Sequence, residues 1–215
     1  MDELRTRARH REAGLVAALT ALGVVAGIAA KAADESGWRW AADLGTYPAV
    51  WVLAVAVIGR NAPTARAAAV RSALFFATMT AAYYGWAVWV LGFGYEPDLV
   101  LTWLVLSATA VAAVAAVSWW ATRHSGPVAG ALMALIAGTA LAGGAVRGVV
   151  LWWSGTPVVL HPVQAVADVL VAAVVVLALP RHGVSRAWAA VLVVPLWWLA
   201  AEVLDRLLYG TGLLR

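Results

Sequence analysis

The sequence has no cysteine, a single lysine and few charged residues of either sign. Without cysteine there are no disulfides, thiolate nucleophiles, iron–sulfur clusters or cysteine-ligated zinc. A retinal protein needs a Schiff-base lysine deep in its last helix, whereas Lys31 stands at the end of the first apolar run. HExxH, the P-loop and GxSxG are all absent, so metalloprotease, ATPase and serine-hydrolase readings lack their motifs. So is an aspartate-rich DDxxD box, for which "EVLD" at 202–205 is too weak a substitute. No pair of submerged histidines suits zinc, and neither a metal nor a cofactor is assigned.

What is present in excess is apolar surface. Of the 215 residues, 64% are hydrophobic and only 12% charged, against about a quarter charged in ordinary soluble domains. A domain of this size keeps too much surface to hide that surplus in a core. The surplus faces lipid, and the expected fold is all-α, a polytopic transmembrane helix bundle. The net charge of +4 could suggest nucleic acid, but the basic residues sit singly between apolar runs. That is what membrane topology requires. The expected partner is the bilayer, with no nucleic acid.

Seven apolar segments are long enough to span, at about 13–33, 44–59, 72–93, 99–121, 127–149, 162–180 and 187–209. The second is short, and Gly143, Gly144 and Arg147 interrupt the fifth. Turn chemistry marks the breaks: "RNAPTAR" (60–66), "GYEPD" (94–98), "RHSGP" (123–127), "SGTP" (154–157) and "RHGVSR" (181–186). The organisation is a basic tail over 1–12, one helical domain over 13–209 and a short tail over 210–215. Ten arginines fall on one side of the spans: Arg5, Arg7, Arg9, Arg11, Arg60, Arg66, Arg71, Arg123, Arg181 and Arg186. Lys31, Arg39, Arg147, Arg206 and Arg215 fall on the other. The richer side is expected to be cytoplasmic, with the N-terminus inside and the C-terminus outside. A competing reading takes "AKA" at 30–32 as a signal-peptide cleavage site, but the preceding run exceeds the usual apolar length of about 7–15 residues.

Depth then follows for each ionisable group. Outside the N-terminal tail, every carboxylate lies in the outer half. Asp168 is about six residues into its span, roughly 9 Å deep by helical rise, and Glu202 is similarly inset. A charge there is costly unless it is paired or faces water. His161, Gln164 and Asp168 share one face of the sixth helix at i, i+3, i+7, and Glu202, Asp205 and Tyr209 share one face of the seventh, with Trp198 a turn below. These faces are expected to turn toward each other and toward Arg147. The third span, "TMTAAYYGWAVWV" (78–90), supplies Tyr83, Tyr84 and Trp86 near mid-depth, below the belt that explains Trp38, Trp40, Trp119, Trp120, Trp152 and Trp153. A phenol at that depth needs a hydrogen-bond partner.

The expectation is an outward-opening cavity with Tyr83, Tyr84 and Trp86 at its base and Arg147, His161, Asp168, Trp198, Glu202 and Asp205 around it. Lys31, Asp34, Glu35 and Asp43 form its rim, and Tyr47 opens the second helix beside Asp43. Each set has a plainer reading. Lys31–Glu35 and Glu202–Arg206 are i, i+4 and can be local ion pairs. Asp168 can bridge to Arg147, the tyrosines can be interhelical hydrogen bonds, and His161 can simply start a helix before Pro162. Gly23 and Gly27 form GxxxG in the first helix and are expected to pack closely on another helix, which could belong to a partner. His10, His124 and His182 lie toward the basic end and receive no role.

"KAADESGWRWAADLGTYPAVWVLAVAVIGR" (31–60) followed by "AAYYGWAVWVLGF" (81–93) resembles a family of small multi-pass membrane proteins of high-GC Gram-positive bacteria, a domain of unknown function. The resemblance covers the first half and implies a bacterial inner-membrane setting, with no activity or site residues. In outline the chain is also similar to the substrate-capturing S-components of energy-coupling-factor transporters, where Gly23 and Gly27 would stand at docking positions, though six spans are usual there. It is similar in outline to small seven-span terpene cyclases too, where Asp168 or Glu202 would donate the proton, but their Asn/Trp/Glu signature is not visible. Three functions follow as expectations: binding or transport of a small amphipathic molecule, acid–base chemistry on an isoprenoid or lipid, or a non-catalytic scaffold.

Overall fold

The computed structural model describes the backbone of residues 2–46 and 48–208, and the side chains of 12–45, 48–203 and 206. Among them there is helix and no strand. The helices are α1 (Asp2–Asp34), α2 (Arg39–Thr46), α3 (Ala49–Asn61), α4 (Ala65–Trp89), α5 (Pro97–Leu106), α6 (Ala112–Ala121), α7 (Pro127–Leu141), α8 (Ala145–Trp153), α9 (Pro162–Ala173) and α10 (Gly183–Leu208). A π-helical turn, Ser107–Val111, joins α5 to α6, and a second, Val174–Ala178, prolongs α9.

Four stretches are long and apolar enough to cross a membrane: Glu12–Asp34, Arg39–Asn61, Pro97–Ala121 and Gly183–Val203. Counting the bent pair α7–α8 as one span makes five. The structure thus supports a multi-pass helix bundle at a coarser count than the seven expected. The difference has local causes. Tyr83, Tyr84, Trp86 and Trp89, with Ser72, Thr78 and Thr80, dilute the apolar character of α4, and Pro162–Ala178 is short. The interruption at Gly143–Gly144 is a 73° bend, made where Gly144 takes a left-handed conformation at φ 92° that a side chain would strain. There Trp197 donates its indole N–H to the Leu141 carbonyl at 3.0 Å, meeting an acceptor freed by the break.

Helix starts follow the sequence's caps. Thr64 accepts from the Ala67 N–H at 3.0 Å and opens α4, while Pro97, Pro127 and Pro162 occupy the first turns of α5, α7 and α9. Capped by Thr64 and running Ala65–Trp89, α4 sits further N-terminal than the expected 72–93. Tyr83 therefore stands six residues, about 9 Å, from its end and not at mid-span.

The bundle is seamed by glycine. A side chain on Gly27 would meet the Met79 carbonyl oxygen at 2.2 Å, and one on Gly23 would meet that of Phe75 at 2.3 Å. The helix these two glycines receive is α4 of the same chain, so that face is taken within the bundle. Gly130 and Gly138 let α10 approach α7 in the same way, against Trp188 and Trp197. Small residues allow the close backbone approach on which membrane helix pairs depend.

The outside is apolar and the inside partly polar. On α9, Val163, Val166, Val169 and Leu170 are exposed while Gln164 and Asp168 are fully buried. That inversion of the soluble pattern is what a lipid environment demands. The turns carrying Arg60, Arg66, Arg123, Arg181 and Arg186 gather at one end. There Arg123 donates to the Ala62 carbonyl at 2.7 Å, and Arg181 donates its backbone N–H to Thr122 at 3.1 Å. Burial, and then the nearby Arg181, push the Arg123 guanidinium below its ordinary value. Arg71, itself buried, pairs with Glu12 at the same end.

Candidate functional site

Two polar clusters lie toward the opposite end. In the first, the Tyr83 hydroxyl on α4 donates to Asp34 Oδ2 at 2.5 Å, joining α4 to the last residue of α1. Gly45 on α2 sits against the other carboxylate oxygen, which a side chain at that position would approach to 3.2 Å. Trp51 closes the α2–α3 joint by donating to the Gly45 carbonyl at 2.8 Å. Lys31 is buried, pairs with Glu35 at 2.8 Å and lies over the Phe93 ring at 4.6 Å and the Tyr83 ring at 5.2 Å.

This cluster borders a cavity of about 680 Å³. Asp34, Tyr83 and Tyr84 lie at one end of it. Trp51, Phe76 and Trp103 supply aromatic walls, and most of the rest is aliphatic surface of α3, α4, α5, α6 and α7, with the hydroxyls of Thr80, Ser107 and Thr139 among it. Its lining runs from Trp103 to Val117 along α5 and α6, some 21 Å by helical rise. Wall residues Trp103, Leu106 and Leu135 are themselves exposed, so the cavity communicates sideways with the surroundings of the bundle. The π turn supplies Ser107, Ala110 and Val111 to the wall, and such turns are frequent at functional sites. A second hollow of about 490 Å³ lies on the other side of Tyr83 and Tyr84, between Lys31, Phe93 and Glu96.

The second cluster lies along α9. Half-buried His161 shares a hydrogen bond with Asp43 on α2, Nδ1 to Oδ2 at 2.7 Å. One turn deeper, the Gln164 side-chain amide donates to Asp168 Oδ1. Both residues are fully buried, and neither Gln164 Oε1 nor Asp168 Oδ2 has a hydrogen-bond partner.

The residues singled out in the sequence thus divide. Asp34, Tyr83 and Tyr84 meet at the large cavity, and Lys31 borders the smaller one with the same tyrosines. Glu35 is exposed and held by Lys31. Trp86 is half-buried and lines neither cavity. Asp43, His161 and Asp168 belong to the α9 cluster instead. Glu202 is 60% exposed and paired with Arg206 at 2.7 Å, so it does not converge on Asp168. The reason is packing: α10 runs chiefly along α7, and its glycine seam sets which face turns inward. Trp198 and Arg147 are exposed. The side chain of Asp205, Tyr47, Tyr209 and the 210–215 tail lie outside the described residues.

Trp51, Trp103 and Ser107 are wall residues that the sequence reading missed. Trp103 carried no signal of this, since four residues into the 99–121 run it reads as one more tryptophan of the interfacial belt. Neither Asp168 nor Glu202 lines either of these two cavities. Among the described residues no group of three or more His, Cys, Asp or Glu could hold a metal ion. No protein-family model, curated protein or solved structure matches this chain.

Proposed function

We propose that the protein is a plasma-membrane protein of about seven spans, N-terminus cytoplasmic and C-terminus outside, that binds or transports a small amphipathic molecule. The observation that carries this reading is a long apolar cavity ending at one polar pair, Asp34 and Tyr83. Apolar walls with a few placed polar groups are the common composition of small-molecule sites. The apolar part of the ligand lies along α5, α6 and α7, and its polar end meets Asp34 and Tyr83. The exposed wall residues favour a molecule that enters from the bilayer. For the topology, support comes from the seven helical rods obtained by joining α2 to α3, α5 to α6 and α7 to α8, and from the arginine turns gathered at one end.

Gentle purification followed by native mass spectrometry tests the binding reading. Wild type should carry a small amphipathic molecule. Ala113→Trp, which fills the cavity from an exposed wall position, should lose it. Recovery of equal amounts with both proteins would sink the proposal. The absence of native cysteine makes the topology directly testable with single-cysteine variants. Ser36→Cys should be labelled from outside intact cells, and Ser125→Cys only after permeabilisation.

A further inference from the structure

We propose that Gln164 and Asp168 form a buried binding site for a small monocation, a proton or an alkali-metal ion, reached from the outer end past Asp43 and His161. Asp168 is wholly buried and is held by a neutral amide on its own helix. That bond meets one carboxylate oxygen. The other, together with the amide oxygen of Gln164, is left without a donor although both are acceptors. Turning the amide over cannot help, because it would aim its oxygen at Asp168 and still supply no second donor. A single positive charge placed against the two orphan oxygens resolves both deficits and neutralises the carboxylate. A proton does so by making Asp168 Oδ2 a donor to Gln164 Oε1, and an alkali-metal ion does so by bridging the two.

The surroundings leave few alternatives. Helix α9 packs against α2, α3, α7 and α8. Helix α7 has no ionisable residue, and α3 has only Arg60, in its last turn. On α2, Asp43 is engaged with His161 and Arg39 is exposed; on α8, Arg147 is exposed. One carboxylate calls for one positive charge, and a divalent ion would lack the carboxylate ligands it prefers. His161, Gln164 and Asp168 follow one another down a single helix face over about 10 Å of rise. The pair of buried Asp43 and partly buried His161 therefore stands between this site and the outer surface.

This inference goes beyond the amphipathic-ligand reading and concerns a different place, since neither Gln164 nor Asp168 lines the cavity that reading uses. The purified full chain in lipid nanodiscs tests it without any amphipathic ligand. Its melting temperature is followed at fixed pH against sodium, potassium and choline chlorides, and then in choline alone from mildly acidic to mildly alkaline buffer. A rise with sodium or potassium over choline identifies the metal ion; a rise toward acid with no metal response identifies the proton. Asp168→Asn should abolish the response. Gln164→Leu should weaken its apparent affinity roughly tenfold, the scale of one lost hydrogen bond to a charged group. Ala113→Trp should leave it intact, which separates this site's failure from the cavity's. A wild type indifferent to all of these conditions would overturn the proposal, whether or not the variants fold. So would an Asp168→Asn protein that still responds like wild type.

Discussion

Asp34 and Asp168 are both carboxylates brought in among apolar helices, and the bundle treats them differently. Asp34 is met by a donor from another helix, Tyr83, and faces a cavity large enough for a ligand. Asp168 is met by its own helix, lies apart from that cavity and keeps unmet hydrogen-bonding capacity. The first arrangement fastens two helices and leaves room beside the fastening. The second contributes little to fastening helices, and its unmet oxygen is what the charge-binding proposal rests on. In a bilayer the distinction is sharp, because an unmet polar atom there is costly and has no bulk water to turn to.

The harshest way to break that comparison is to part the helices that make the first pair. Gly27→Leu would drive a side chain into the Met79 backbone and force α1 from α4. The cost should exceed the roughly 1–3 kcal/mol usual for overpacking, because backbone and not a flexible side chain must yield. Monodisperse protein should be lost in size-exclusion chromatography. Gly14→Leu is the matched control, since nothing lies within 4 Å of a side chain there, and it should purify normally.

A milder variant removes the bond and keeps the packing. Tyr83→Phe takes the donor from Asp34 and should cost about 1–2 kcal/mol in resistance to unfolding, the upper range for interhelical hydrogen bonds in membranes. It should also release the amphipathic ligand more readily in native mass spectrometry, while the cation response assigned to Asp168 stays unchanged. A joint loss would mean that the two carboxylates act as one site. Smaller again, Gly45→Ala crowds Asp34 at 3.2 Å, and a shift of a few tenths of an ångström should relieve it. Its effect should stay below that of Tyr83→Phe in the same unfolding measurement.

Where sequence reasoning succeeded and where it stopped have physical causes. Composition and period exposed the helices, the Gly143–Gly144 break and the shared face of His161, Gln164 and Asp168, because each depends on neighbours within two turns. The i, i+4 pairs Lys31–Glu35 and Glu202–Arg206 were visible for the same reason. What the residue order could not carry was helix rotation. Which face of α10 turns inward depends on Gly130 and Gly138 of α7 meeting it across a long sequence separation. Glu202 was therefore placed in a site that it leaves. Asp34 was expected at a rim, yet nothing local announced that Tyr83, 49 residues on, would reach it.

Glu202 supplies the smallest expected effect and the sharpest contrast with Asp168. The two residues looked alike in the sequence, each a carboxylate inset from a helix end. In the structure one is wholly buried, and the other is 60% exposed beside an arginine that is 79% exposed. An ion pair so open is worth at most about 0.5–1 kcal/mol and is screened by salt. Glu202→Gln should accordingly leave folding yield, ligand recovery and the cation response within error of wild type, whereas Asp168→Asn should remove the last of these. A Glu202→Gln protein that lost ligand or ion response would mean that exposure is the wrong guide to which carboxylate this bundle uses.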